Sequence, residues 1–429
     1  MEYGVLSVTL IVVVMLYELK RKSISIFLWV SILMFFCFGH ISFMLFEGYN
    51  PKVIDKASWF VTLFCLVYLL SRIALNRVSN NEIILVEDNT GEEVCSNDNR
   101  FAEICFYSLL ICTLIYCISL YGYTGALFDI SKSQVYSFRY SNKWVLITNY
   151  GWSIGVPTFL WYLLHGNKLR TIISAVSILS MSFFSGTRTQ LVVLFVMIAL
   201  YYLYHERRIK LRSYIMLICF ALIGIYFMLA LRAFRYDYSF ADLSTISIED
   251  INRVIMRLDS QKSGDLYLCN FFYGIIDIDN NFDGLGYGAG WIRLLLLPFP
   301  SALCLGLKPK DICLTLGLLF GGGNTINYSV TPTLFGDCYA NLGMVGIFLG
   351  IPWAIIIYIL EKLCARKTCC LRVFFSVTVA WALINIGRGD VYNALAGIYY
   401  SIILYWIIMI YIINVKPVRF VLGKQRDWS

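Results

Sequence analysis

Charge is scarce in this chain: Asp, Glu, Lys and Arg make up 14% of its 429 residues. Ordinary soluble domains carry about a quarter, so the composition argues against a water-soluble fold. Histidine is rarer still. The three residues, His40, His165 and His205, stand apart from one another and form no metal-ligating cluster. The glycine loop of the GxxxxGK type and the dinucleotide fingerprint are both missing, which leaves a nucleotide no visible seat. No cofactor and no metal are expected. There is no repeat of clear period, no low-complexity tract, and no basic-aromatic motif of the kind that binds nucleic acid. The short alternating segments of a membrane β-barrel are lacking too.

What remains is apolar. Hydrophobic residues make up 59% of the chain, in runs about long enough for a helix to cross a hydrocarbon core of roughly 30 Å. Spans fall near 3 to 18, 24 to 46, 57 to 76, 101 to 121, 144 to 164, 171 to 185, 189 to 204, 213 to 231, 342 to 360, 373 to 387 and 391 to 414. The expected fold class is therefore all-α, a polytopic membrane protein of about eleven transmembrane helices. The first run lacks a basic start and a small-residue cleavage site, and it reads as a span rather than a cleaved signal peptide.

Basic residues in short loops stay on the cytoplasmic side. One set of alternate segments carries 20 Lys and Arg, the other 7, and the remaining 8 lie in the long segment 232 to 341. The amino terminus is thus expected outside and the carboxyl terminus inside. The net charge of +8 is then explained by topology and gives no sign of a nucleic-acid partner. Ten of the fourteen cysteines fall in spans or on the inner side; Cys269, Cys304, Cys313 and Cys338 fall outside, where bridges can form, with no pairing favoured.

Three parts follow: spans with short loops over 1–231, a large outer segment over 232–341, and closing spans with an inner tail over 342–429. The outer segment is too long for a simple connection and has its own apolar pattern. Ser247 to Asp250 reads as a loose capping box, followed by Ile251, Val254, Ile255 and Leu258 on one helical face. The stretch GWIRLLLLPFPSALCLGLKPKDICLTLGLLFGGG suits short helices lying in the outer interface. In TPTLFGDCYANLGMVGIFLGIPW, Thr331 can cap, Pro332 suits a first helical turn, and Gly346 and Gly350 form a small-xxx-small pair for close helix packing.

One short motif stands out against this background. SGTR, 185 to 188, puts a permanent cation between two apolar runs. The run between Arg170 and Ser185 spans only about 21 Å, so the turn is shallow and Arg188 is recessed. A second hairpin repeats the design with Arg388, Gly389 and Asp390. Arg232 and Arg235 emerge on the same side. Arginines at span ends also snorkel to phospholipid headgroups, which is the plain alternative. Four of them at one face, where cations should be depleted, point instead to a bound anion. A guanidinium grips phosphate oxygens with two donors and stays charged in a poorly hydrated site, so the anion that best suits the set is a diphosphate at a lipid headgroup. His40, near the outer end of the second span, reads as a buried, hydrogen-bonded structural residue.

Together these features resemble the O-antigen polymerase (Wzy) family: the SGTR hairpin, the large outer segment late in the chain, TPTLFGDCYANLG at 331 to 343 entering a glycine-bearing span, and the closing RGD turn at 388 to 390. The resemblance implies a GT-C-like membrane fold and glycosyl transfer at the periplasmic face of the bacterial inner membrane. A glycan on undecaprenyl diphosphate would pass to the non-reducing end of an incoming lipid-linked unit, with a polysaccharide chain-length regulator as partner protein. Arg188, Arg232, Arg235 and Arg388 would then hold the diphosphate, Asp337 would act as general base, and Asp390 would support Arg388. A helix-end role for Asp337 remains the alternative. A flippase for lipid-linked sugar and an O-antigen ligase share parts of the pattern. Internal repeats with mid-membrane charges would mark the first and an outer-segment histidine the second; the sequence shows neither.

Overall fold

The computed structural model describes residues 2–21, 23–46, 49–78, 96–125, 138, 153–185, 249, 252–253, 265–279, 287–299, 301–320, 329–364 and 369–414. Among them every regular element is helical and no strand occurs. Seven helical stretches are long and apolar enough to cross a membrane: Tyr3–Lys20, Ile26–Leu45, Pro51–Arg77, Asn97–Thr124, Thr333–Cys364, Cys370–Arg388 and Val391–Ile412. The chain is an all-α polytopic membrane protein. Each stretch overlaps a span expected from the sequence, and Thr333–Cys364 starts before the expected 342, within the segment assigned to the outer part. The span expected at 171 to 185 is the 18-residue helix Lys168–Ser185, and part of that at 144 to 164 is Gly155–Leu164. The spans expected at 189 to 204 and 213 to 231 lie outside the described residues.

The first six helices are α1 (Glu2–Lys20), α2 (Ile26–Leu45, with a π turn at Leu33–Cys37), α3 (Pro51–Val78), α4 (Ser96–Thr124), α5 (Gly155–Leu164) and α6 (Lys168–Ser185). Then come α7 (Cys269–Asp277), α8 (Ala289–Leu295), α9 (Ile312–Phe320), α10 (Thr333–Leu342), α11 (Gly350–Cys364), α12 (Cys369–Arg388) and α13 (Val391–Asn414). A helix satisfies its own backbone groups where lipid offers no partners, which is why uninterrupted apolar runs take this form.

α3 lies at the centre. Phe60, Phe64, Tyr68 and Arg72 recur every fourth residue on one face, and all four are fully buried. α1 and α11 pack against this helix. Close approach depends on the two glycines. A side-chain carbon on Gly350 would sit 2.9 Å from the Tyr68 nitrogen and 3.0 Å from the Phe64 carbonyl; one on Gly346 would meet the Cys338 carbonyl. The pair therefore works as the sequence predicts, letting the 3-10 turn Gly343–Leu349 and the start of α11 lie directly on α3.

The same face of α3 ends in a buried ionic cluster. Arg72 reaches Glu18 of α1 through Nε (2.8 Å) and Nη2 (3.0 Å). It reaches Glu361 of α11 through Nη1 (3.1 Å) and Nη2 (2.6 Å). The Tyr68 hydroxyl donates to Glu18 at 3.0 Å, and Ser23 bonds Glu361. Two-pronged grips on both carboxylates fasten three helices at one level. Because α11 and α12 run antiparallel, this level is at the opposite end of the bundle from the α12–α13 turn.

The described helices of segment 232–341 that precede α10 are short: α7, α8 and α9 have 9, 7 and 9 residues. The cap of α10 differs from the sequence expectation. Pro332 takes the cap position, so Thr331 falls one residue too early, and the Thr333 hydroxyl accepts the Gly336 N–H at 3.4 Å. Cys269, Cys304, Cys313 and Cys338 are all buried, and Cys269, Cys313 and Cys338 form no bridge among the described residues. Ser247, Asp250 and the helical face expected after them lie outside the described residues.

Candidate functional site

The site forms where the α12–α13 turn meets the start of α10. Arg388 is the last residue of α12, and Gly389 follows with φ +105°, a conformation natural to glycine alone. The Asn385 carbonyl accepts from both Gly389 N–H (3.0 Å) and Asp390 N–H (2.9 Å), closing the turn. Any side chain at 389 would run into the Thr333 nitrogen and lie 2.9 Å from the Pro332 nitrogen. The turn is thus flush against α10. Thr333 itself is β-branched yet has φ +66°, a strained conformation that costs of order 1 to 3 kcal/mol and that surrounding structure must enforce.

One turn further along α10 lies Asp337, 4% exposed. Asn341, another turn on, donates from Nδ2 to the Asp337 carbonyl at 2.9 Å and to its carboxylate at 3.3 Å. The other side of the Asn341 amide accepts the Gly290 N–H (2.7 Å), and its backbone carbonyl accepts the Gly288 N–H (2.6 Å). One asparagine therefore orients Asp337 and fastens the start of α8 beside it.

α9 approaches from the other side. The Cys313 thiol donates to the Gly389 carbonyl at 3.5 Å, and Asp311 caps the helix by accepting the Cys313 N–H at 2.8 Å. Asp390 occupies the equivalent place on α13: its carbonyl accepts the Ala394 N–H (3.1 Å) and its carboxylate the Asn393 side-chain amide (2.8 Å). Two helix N-termini, each capped by an aspartate, converge on one glycine. Burial pushes the Asp390 carboxyl up to about 6, with Asn393 opposing, the charge of Asp311 adding to the rise and Arg388 opposing it. Asp337 lies within electrostatic range of both Asp311 and Asp390.

Of the six residues singled out in the sequence, Asp337, Arg388 and Asp390 are brought together here. Arg188, Arg232 and Arg235 lie outside the described residues. Asp311, Asn341 and Arg293 were not anticipated. A lone cation within WIRLLLL is the same kind of signal as Arg188, and the aspartate of KPKDIC stands where a helix cap belongs, so both left a trace in the sequence. His40 is fully buried, with ring nitrogens facing Ser7 (3.2 Å), Ser58 (3.4 Å) and Tyr273, and its ring stacks on Phe36 at 4.9 Å. That is the structural role expected of it.

A helical membrane protein with a cluster of aspartates and an arginine at one end of its bundle, Asp311 and Asp337 buried and Arg388 and Asp390 partly so, is the class these observations define. The family described as O-antigen polysaccharide polymerase Wzy matches residues 2–289, well over half of the chain. The chain belongs to that family, whose members are glycosyltransferase-like polymerases of O-antigen repeat units acting on lipid-linked oligosaccharides. No curated protein and no solved structure matches it. Asp311, Asp337, Arg388 and Asp390 lie beyond the matched segment, so their assignment rests on the geometry above.

Proposed function

We propose that the chain transfers a growing glycan from undecaprenyl diphosphate to the non-reducing end of an incoming undecaprenyl-diphosphate-linked unit, at the periplasmic face of the inner membrane. The acceptor hydroxyl oxygen bonds to the anomeric carbon, the bond from that carbon to the diphosphate breaks, and the hydroxyl proton passes to Asp337. Arg388, with Arg188, Arg232 and Arg235, holds the diphosphate as it gains negative charge; a preorganised donor of this kind is typically worth about 3 kcal/mol. Asp390 positions Arg388. The amino terminus is periplasmic, the carboxyl terminus cytoplasmic, and a chain-length regulator sets the length of the product.

The observation that supports this reading best is the seat of the Gly389 turn on Pro332 and Thr333. It brings the arginine ending one helix and the aspartate of another, far apart in sequence, to one place. The bias of basic loops supports the orientation. Deleting the gene and running surface polysaccharide on a gel tests the reaction. The expected result is single repeat units where a ladder of long chains had been. Loss of the single units as well would point to transport or ligation and contradict the reading.

A further inference from the structure

Arg293 lies on α8, in a stretch whose neighbours Leu295, Leu303, Leu305 and Leu307 are exposed apolar residues. Its guanidinium points the other way. The carbon at its centre is 4.2 Å from the middle of the Tyr392 ring, two residues past Asp390. Nη1 donates to the Pro309 carbonyl at 2.5 Å. Lys308 brings a second cation to the same ring, 5.7 Å from its centre. Asp311 is the acid facing them, but its Oδ2 is 3.7 Å from Arg293 Nε, beyond hydrogen-bond reach, and that nitrogen has no hydrogen-bond acceptor among the described residues.

Two cations near one tyrosine ring repel each other, and the Asp311 carboxylate beside Arg293 is already engaged in capping α9. A residue kept only as a strut would be expected to pair its Nε closely, because a buried unsatisfied donor costs about 1 to 3 kcal/mol. An arginine awaiting an anion need not. About a fifth of the side chain (19%) is open to solvent. Tyr392 and Pro309 hold the guanidinium fork in place, and its acidic partner Asp311 stays at the long distance of 3.7 Å. Phosphate oxygens suit that fork, because a guanidinium can bind two of them at once.

We infer that Arg293 is a further phosphate-binding residue of this site, exchanging its long contact with Asp311 for a diphosphate oxygen of the polyprenyl carrier. The inference rests on the proposed function, since it takes the diphosphate as the ligand. It adds a cation that stands on the outer segment rather than on the spanning helices, so the two parts of the chain close on the same anion.

The test uses the purified full-length chain in detergent, its melting temperature followed as farnesyl diphosphate, inorganic diphosphate or orthophosphate is added. Arg293→Gln should weaken the apparent affinity for farnesyl diphosphate roughly tenfold or more, and Arg293→Lys should weaken it less. Tighter binding of farnesyl diphosphate than of inorganic diphosphate would assign the seat to the lipid headgroup; equal binding would assign it to diphosphate as such, and both rankings support the inference. A strut role makes a different prediction. Arg293→Gln would then lower the melting temperature without ligand while leaving the apparent affinity within about twofold, and that result overturns the inference. Arg388→Gln is measured alongside. Loss of affinity there but not in Arg293→Gln removes Arg293 alone, whereas no loss in either variant removes the diphosphate reading of the whole site.

Discussion

Asp390 does two things at once. Its carboxylate caps α13 through Asn393 and lies in the field of Arg388. Burial holds its pKa at about 6, above the usual carboxylate range. A folded pKa raised above the unfolded one means that the native state binds the proton more tightly. This contribution to stability is therefore present at low pH and is lost as the pH rises through about 4 to 6. Activity should run the other way. Protonated Asp390 no longer offers a full charge to hold Arg388, so polymerisation should fall as the pH drops through about 6, with Asp311, Asp337 and Arg388 as the other charged groups facing it. Asp390→Asn keeps a helix cap but removes the titration. Its rate against pH should be lower near neutrality and lose the acid limb centred there; an unchanged acid limb would assign the titration elsewhere. Arg388 and Asp390 were legible in the sequence because a charged turn interrupts two apolar runs. Asp311 and Arg293 left only a local trace, because their place depends on how segment 232–341 folds back onto that turn.

The elements meet through small residues and one buried charge cluster. Gly389 joins α12 to α13 with a φ that side chains rarely adopt, and it leaves no room above α10. Gly389→Ala should destabilise the turn by more than about 1 kcal/mol and lift Arg388 away from Asp337. The measurable outcome is a shortened polysaccharide ladder at normal protein level in the membrane; a full ladder would mean that the turn is not held by this contact. Arg72 is the corresponding point at the other end of the bundle. Its side chain is fully buried between Glu18 and Glu361, and removing one partner of such a cluster leaves buried charge uncompensated. Arg72→Ala should cost about 3 to 5 kcal/mol, seen as a lower melting temperature in detergent. An unaltered melting temperature would contradict the account of that cluster. The long helices were readable from run length alone. The 3-10 turn after Gly343 and the cap at Pro332 were not, since both answer to the packing of α10 and α11 on α3 and on the Gly389 turn.

Across the whole molecule, two charge clusters stand out among the described residues. One cluster, Glu18 with Arg72 and Glu361, is closed by hydrogen bonds between its members and ties helices together. The other, around Gly389, gathers Asp311, Asp337, Asp390 and Arg388. Composition made the first-order architecture plain, because scarce charge and long apolar runs leave few alternatives to a helical bundle. The meeting of residues 293, 311, 337 and 388 is a product of chain return over long distances, which no local pattern specifies. The central claim is that this meeting place carries out the transfer. Its most direct test is polymerisation by the purified chain in lipid vesicles, supplied with a single lipid-linked repeat unit and compared with Arg388→Ala and Asp337→Asn. The account predicts a ladder from the wild-type chain and about a hundredfold less product from either variant, with helix content by circular dichroism unchanged. A ladder of ordinary yield from both variants would contradict it.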